Sequence, residues 1–476
     1  MSLQLYDTAS RIKREFKPQV DNLVKLYTCG PTVYNELQIG NWLAYLRWDL
    51  LVRVMTLSGY RIDRVMNITD VGHLVSDADD GEDKMEKGAR REGVSAWEIS
   101  KRYTDSFVNG LAELNLIKPD HLAKATDFIA EQIDFIRGLE AKGHTYSIDD
   151  GVYFDTATFP DYAKFARLDL DDQKAGARVV YNPDKRNPSD FALWKFSPGD
   201  KQRDMEWDSP WGKGFPGWHI ECSAIARHYL GDTLDIHTGG IDHIPVHHTN
   251  EIAQSVALTG QPLANYWLHA DFLTSDGTKI SKSLGNGWTL QDLTDKGFRL
   301  VDLRLFALQS HYRSETNFTW DNLQAAANRL NNWLSLAELR WQIHDTVVDD
   351  EDKAVSESSL NLRRAKHQTL QALQDDLNSP QALSLIDQQI DQIKAEIGNL
   401  QQDVLDDFID FIENFSGLRL KQATPDIDDA TKQLILERLR AREARDFQKA
   451  DELRDQLVKT GIRMLDTTSS QLWTRY

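Results

Sequence analysis

Residues 23–72 read LVKLYTCGPTVYNELQIGNWLAYLRWDLLVRVMTLSGYRIDRVMNITDVG. The run at 23–29, LVKLYTC, is short, apolar and closed by Gly30-Pro31, as expected for a buried strand stopped by a turn. Apolar side chains then recur all along 41–57, a helical stretch with Asn41 placed to start it and Gly59 to stop it. RIDRVMNITDVG at 61–72 returns to strand texture and ends on polar groups. Strand, glycine turn, helix and strand in that order predict a right-handed parallel α/β unit, whose ligands gather at the C-terminal ends of its strands. Thr28, Cys29 and Gly30 stand at one such end, and Asn67 to Asp70 at the next.

Working outward, the charged run SDADDGEDKMEKGARREG at 76–93 lacks the apolar period of a core helix and reads as a solvated excursion or as a segment that brings Lys84 or Lys87 over a polyanionic ligand. Helical patterns are expected at 96–116 and 121–143. Residues 146–217 carry short strand-like pieces, VYFD and FALWKF, and have the texture of an insertion between the halves of the core. The core resumes with GWHIECSAIARHYLG (217–231), the strand LDIHTGG (234–240) and HIPVHHTNEIAQSVALTG (243–260), helical by its NEIAQSVAL portion. Beyond residue 323 long helical segments dominate. The expected organisation is an α/β catalytic core at 1–145 and 218–270, an inserted subdomain at 146–217, a loop-bearing region at 271–314, a helical bundle at 315–425 and a small helical unit at 426–476.

A chain of 476 residues exceeds what one hydrophobic core usually supports. No stretch approaches 18 consecutive apolar residues and the first residues are mixed polar, so the reading is a cytoplasmic protein without membrane span or signal peptide. A formal net charge of -19 argues against indiscriminate coating of nucleic acid, while leaving room for a local basic track.

The two cysteines, Cys29 and Cys222, have no secretory context that would commit them to a disulfide. His247 and Glu251 are four residues apart at the start of a helical stretch and project from one face. Imidazole and carboxylate at that spacing make half of a tetrahedral metal site. Two thiolates would complete it in favour of zinc over magnesium or calcium. A helix-surface pair and two buried thiols is the alternative reading of the same residues, and His248, about 100° round a helix from His247, is a competing ligand. Farther on, Thr278-Lys279-Ile280-Ser281-Lys282-Ser283-Leu284-Gly285-Asn286 combines two ammonium groups, hydroxyls and a glycine, a composition suited to a loop that folds over a triphosphate, though common in surface loops too.

The runs LYTCGPTVY, IGN, NITDV, GWHIECSA, DIHTGGIDHIPVHHTNEIAQS, KISKSLGN and REARDFQKADELRDQLVKTGI together resemble the cysteinyl-tRNA synthetases, members of the class I aminoacyl-tRNA synthetases. The resemblance implies a Rossmann-like core and a single zinc on Cys29, Cys222, His247 and Glu251 that takes the thiolate of substrate cysteine. It places Thr69, Trp218 and His237 about the amino acid. It assigns ATP, with magnesium, to Gln38, Gly40, Asn41, Asp242, Lys279, Ser281 and Lys282, with Gln38, Asn41 and both lysines catalytic. The implied reaction forms cysteinyl-adenylate and then charges tRNA(Cys), in a monomer whose end, 426–476, binds the anticodon.

Three features depart from the family pattern. Gln38-Ile39-Gly40-Asn41 opens on glutamine where the family has histidine, which removes a group able to become a cation and allows a slower adenylation. Ile280 stands where methionine is usual, an apolar exchange. The stretch at 72–93 replaces a shorter, more compact polar segment. In the C-terminal unit, Arg438, Arg442, Arg445 and Lys449 recur at helical spacing. They form either a solvated face paired with Glu443 and Asp446 or a contact to RNA backbone, which the resemblance favours, with Trp473 available for base stacking. Two rival functions remain: a cysteine ligase acting on a small sugar-amine acceptor, and a non-enzymatic RNA-binding paralogue suggested by Gln38.

Overall fold

The computed structural model describes residues 2–72, 83–168, 182–197, 203–280, 285–342, 357–396, 402–466 and 471–475. Two compact units emerge, one of residues 2–297 with 312–318, the other of 298–311 with 319–476.

The first unit opens with the antiparallel hairpin β1 (Gln4–Asp7) and β2 (Ile12–Glu15). The first half of the core follows as β3 (Leu23–Thr28), β4 (Arg61–Ile68) and β5 (His121–Lys124). The insertion forms its own antiparallel sheet from β6 (Thr145–Ile148), β7 (Gly151–Phe154), β8 (Phe191–Phe196) and β9 (Gly214–Pro216). The core is then completed by β10 (Leu234–Gly240) and β11 (Ala264–Ala270). All pairings within the core are parallel, in the order β11-β10-β3-β4-β5. Strand order therefore reverses between β3 and β10, where a doubly wound sheet opens a crevice for ligands.

The helix Ile39–Leu57 is apolar nearly all round because it is nearly all buried, with Trp42, Leu46, Leu50 and Val54 inside. It begins two residues before Asn41, whose Oδ1 instead accepts the Gln38 backbone N–H at 3.1 Å and secures the first turn. A second difference concerns 121–143, expected to be helical throughout. His121–Lys124 is a strand against Val65–Ile68, and the helix starts at Ile129. Pairing with the exposed edge of β4, with Ala123 buried beneath, outweighs the local helical preference. In the charged segment, Lys84–Glu92 is a helix capped by Asp83 that buries Met85, Gly88 and Ala89; residues 76–82 lie outside the described residues.

A small sheet of β12 (Leu273–Ser275), β13 (Thr278–Lys279) and β14 (Thr316–Phe318) follows the core. Buried Arg47 ties it to the first helix, donating to Asp271 O and Thr316 Oγ1, both at 2.7 Å.

The second unit is helical from Leu300–Leu308 through Trp320–Glu338, Glu357–Gln374, Ser379–Glu396 and Gln402–Ser416. After Asp429–Glu443 and Phe447–Lys459 it closes on a hairpin, β15 (Ile462–Asp466) and β16 (Gln471–Arg475), so the end of the chain is not purely helical. Ile427, Ile435, Leu457, Ile462, Met464 and Trp473 form its core, with Trp341 packed against them. No helix among the described residues is long and apolar enough to cross a membrane.

Candidate metal and nucleotide site

At the reversal between β3 and β10, Tyr27 and His237 are neighbours in register, as are Thr28 and Thr238. Cys29 follows directly, and its backbone N–H donates to Thr238 O at 3.2 Å. Gly30 comes next because the strand ends approach closely there: a Cβ on it would stand 1.7 Å from Asn67 O. The helix Trp218–Leu230 packs Cys222, Ile225 and Ala226 against Tyr27, Val65 and Trp267. The helix Thr249–Thr259 supplies Glu251, and a π-helical turn, Ile244–His248, delivers His247 to it.

The ligating atoms of Cys29, Cys222, His247 and Glu251 all lie within 4.8 Å of one another, and all four residues are buried. His247 Nε2 stands 2.9 Å from Glu251 Oε1, yet that oxygen receives no hydrogen bond. A buried carboxylate oxygen without a donor, surrounded by two sulfurs and an imidazole, suits a soft divalent cation. Among the described residues the cluster is thus capable of metal coordination. The helix-surface reading of His247 and Glu251 is corrected, since neither is at the surface.

His248 does not turn away as an α-helical repeat would have it. The wider π turn keeps both histidines inside, and His248 Nε2 lies 3.4 Å from Cys29 Sγ. Cys29, His237, His248 and Glu251 form a second converging set. His248 Nδ1 is 2.7 Å from His269 Nε2, and His219 Nδ1 is 3.0 Å from His247 Nδ1. Such ring-to-ring contacts fix imidazole orientation around a metal ligand.

The donor set is strongly polarised. Burial pushes the Cys29 thiol up, while the hydrogen bond from Cys29, opposed by burial, brings Cys222 down to about 6. Burial disfavours charge on His247, but the Glu251 carboxylate and the Cys222 sulfur outweigh it and push the imidazole up to about 10. Burial likewise works against ionised Glu251, and His237 and His247 overcome it to hold the carboxyl below its usual range.

A cleft of about 340 Å³ runs from this cluster. Cys29, Thr69, Trp218, Cys222 and His247 line it together with Gln38, Gly40, Asn41 and Asp242. Trp218 lies flat on His247, ring centroids 4.5 Å apart at 29°. The Thr69 hydroxyl donates to Glu221 Oε2 at 2.9 Å and accepts from Asn67 Nδ2 at 3.1 Å. Glu221, unremarked from sequence, is fully buried; its position one residue before Cys222 in GWHIECSA was the available signal. His237 is buried beside the Cys29, Cys222, His247 and Glu251 donors, its Nε2 3.0 Å from Glu251 Oε2 and its ring stacked on Trp267, and it is not among the residues lining the cleft. Ile280 lines the cleft; Ser281, Lys282 and the side chain of Lys279 lie outside the described residues.

In the second unit the expected basic stripe is broken. The first helix ends at Glu443, Arg445 adopts φ 59, and a new helix starts at Phe447. Arg438, Arg442, Arg445 and Lys449 therefore do not share one helical face. Arg438 is buried, donating to Asp466 Oδ1 at 2.9 Å, to Asp466 Oδ2 at 3.0 Å and to Gln471 Oε1 at 2.6 Å. Arg442 also pairs with Asp466, leaving Arg445 and Lys449 exposed. Trp473 is 1% exposed and unavailable for base stacking, whereas Phe447, missed from sequence, is 64% exposed between those two cations.

Residues 15–328 match the model of the class I (C) tRNA synthetase catalytic domain, and residues 424–473 that of the cysteinyl-tRNA ligase anticodon binding domain. The chain belongs to the cysteinyl-tRNA ligase family of class I synthetases. Within that family it is 47% identical to cysteine–tRNA ligase 1 of Burkholderia lata, over 99% of this chain and 96% of the relative. It is 41% identical to the cysteine–tRNA ligase of Treponema denticola, with both chains covered completely. Among solved structures, methionyl-tRNA synthetase of Mycobacterium tuberculosis in complex with methionyl-adenylate shares the fold at a TM-score of 0.60 and 15% identity, covering 84% of this chain and 92% of its own. The ternary LeuRS–tRNA–LeuAMS complex of Agrobacterium radiobacter does so at 0.59 and 13%, covering 87% and 88%.

Proposed function

We propose that this chain joins cysteine to tRNA(Cys), as a cytoplasmic monomer, in two steps served by the cleft at the strand reversal. It activates cysteine with ATP: the amino-acid carboxylate attacks the α-phosphorus, cysteinyl-adenylate forms, and pyrophosphate leaves. A hydroxyl of the terminal tRNA ribose then attacks the adenylate carbonyl, the ester forms, and AMP leaves. The observation that carries the reading is the convergence of two sulfurs, an imidazole and a carboxylate beside that cleft.

Cys29, Cys222, His247 and Glu251 would hold zinc. When bound, zinc supplies a contact that accepts a thiolate far better than a hydroxyl, which separates cysteine from serine in one interaction. Trp218 walls the pocket, and the Thr69 hydroxyl is oriented by Glu221 and Asn67. His237 serves the amino acid at one remove, steadying Glu251. Gln38, Gly40, Asn41 and Asp242 form the ATP end, where ATP arrives with magnesium. Lys279, Ser281 and Lys282 are assigned to the polyphosphate, where fixed positive charge favours the departing pyrophosphate. Arg445 and Lys449 contact the tRNA backbone with Phe447 offering a ring to an unpaired base, while Arg438 and Arg442, both paired with Asp466, brace that surface. The match of 424–473 to an anticodon-binding domain favours tRNA over a small sugar-amine acceptor.

The test is aminoacylation of tRNA(Cys) with radiolabelled cysteine or serine, run with the unsubstituted protein and with Cys222→Ser. Cysteine alone should be esterified, and the variant should lose both bound metal and charging. Adenylate formation without transfer to any tRNA would overturn the assignment.

A further inference from the structure

Gln38 caps the first core helix and lines the cleft, and its carboxamide lies on the backbone of Gly287. A Cβ built on Gly287 would stand 1.9 Å from Gln38 Nε2, 2.4 Å from Cδ and 2.8 Å from Oε1. The whole amide plane thus occupies the space that any side chain at 287 would fill. The two backbones are pinned together around this contact. Ile39 N–H donates to Trp288 O at 2.7 Å, and Gln38 bridges to Thr289. Thr289 in turn caps the next helix through Asp292, its N–H and Oγ1 both 2.7 Å from Oδ2. Gly287 is outside the left-handed region, so its conformation does not itself demand glycine.

We propose that Gly287 is a positioning residue for the nucleotide: its missing side chain is the seat that holds the Gln38 carboxamide at the mouth of the ATP end. The inference rests on reading Gln38 as part of that end. With the main chains locked, a methyl group at 287 is relieved most cheaply by swinging the flexible Gln38 side chain away. The fold survives, and the amide N–H groups leave the place from which they meet phosphate oxygens. Glutamine reaches its position only because residue 287 offers no Cβ, so Gln38 and Gly287 act as one unit.

The experiment is a double-mutant cycle on the full chain with Gln38→Ala, Gly287→Ala and the pair, reading KM for ATP and kcat in cysteine-dependent pyrophosphate exchange, with thermal melting alongside. A hydrogen bond to a charged phosphate corresponds to roughly tenfold to hundredfold. Each single variant should lose that much in kcat/KM for ATP with an unchanged KM for cysteine, Gly287→Ala with an unchanged melting temperature and Gln38→Ala with no more than the small drop that loss of a helix cap brings. The pair should be no worse than Gln38→Ala. Exchange that Gln38→Ala leaves untouched overturns the reading of Gln38 and this inference with it. Exchange that Gln38→Ala lowers, while Gly287→Ala spares it or the two losses multiply, overturns the inference alone.

Discussion

The residue whose surroundings say most about the candidate metal site is His247. Its Nε2 faces Glu251, its Nδ1 meets His219, and its ring is covered by Trp218. His219 is 1% exposed, and its Nδ1 stands 3.0 Å from His247 Nδ1. Removing it frees the imidazole to rotate, and the orientation must then be restored at the expense of metal binding. His219→Ala should weaken zinc affinity roughly 10–100-fold, measured by competition with a chromophoric chelator, whereas Cys222→Ser should leave little metal bound. The types of donor were legible from the sequence at this scale. That His247 and His248 both point inward was not, because the π turn that puts them there has no simple pattern in IPVHH.

At the scale of elements, the C-terminal hairpin and its two helices are joined through Asp466. Hydrogen bonds from buried Arg438 hold this carboxyl below the usual carboxylate range, and Arg442 adds to the effect. Because the folded value lies below the unfolded one of about 3.9, the pairing contributes fully above that pH and is lost as pH falls through the folded value. Asp466→Asn should cost about 1–2 kcal/mol at neutral pH, moderated by the partial exposure of Asp466, and should flatten the loss of stability below about pH 4. Urea melts of the full chain and the variant across pH 3–7 measure both. Elements with a sustained apolar pattern were readable from the sequence, as the strand LDIHTGG and the helix over 41–57 show. His121–Lys124 was not, since four residues beside an open sheet edge take their conformation from the partner strand.

For the whole molecule, the proposed function asks a chain of net charge -19 to bind a polyanion. On that proposal local cations, the exposed Arg445 and Lys449 among them, carry the attraction while distant acidic faces are screened beyond about 10 Å. Raising salt from about 50 to about 200 mM should therefore raise KM for tRNA steeply, with pyrophosphate exchange changing far less. Arg445→Glu with Lys449→Glu should reproduce the first effect at low salt and leave the second activity intact. Steady-state charging and exchange assays on one preparation distinguish the two.

By itself the sequence determined the family, the parallel α/β core and the chemical kinds of donor, because apolar period and motif spacing are local properties that survive in a string of letters. Tertiary structure alone decided what those donors do together. Cys29 and Cys222 meet because the helix Trp218–Leu230 packs against β3 and β4, beside the reversal of strand order between β3 and β10. Arg438 turns inward because Asp466 and Gln471 arrive from a hairpin, and the basic stripe breaks because Arg445 leaves helical geometry. Gln38 keeps its place through a glycine 249 positions away. For the two sulfurs, Arg438 and Gln38 the deciding partner is remote along the chain, and only packing brings it within reach.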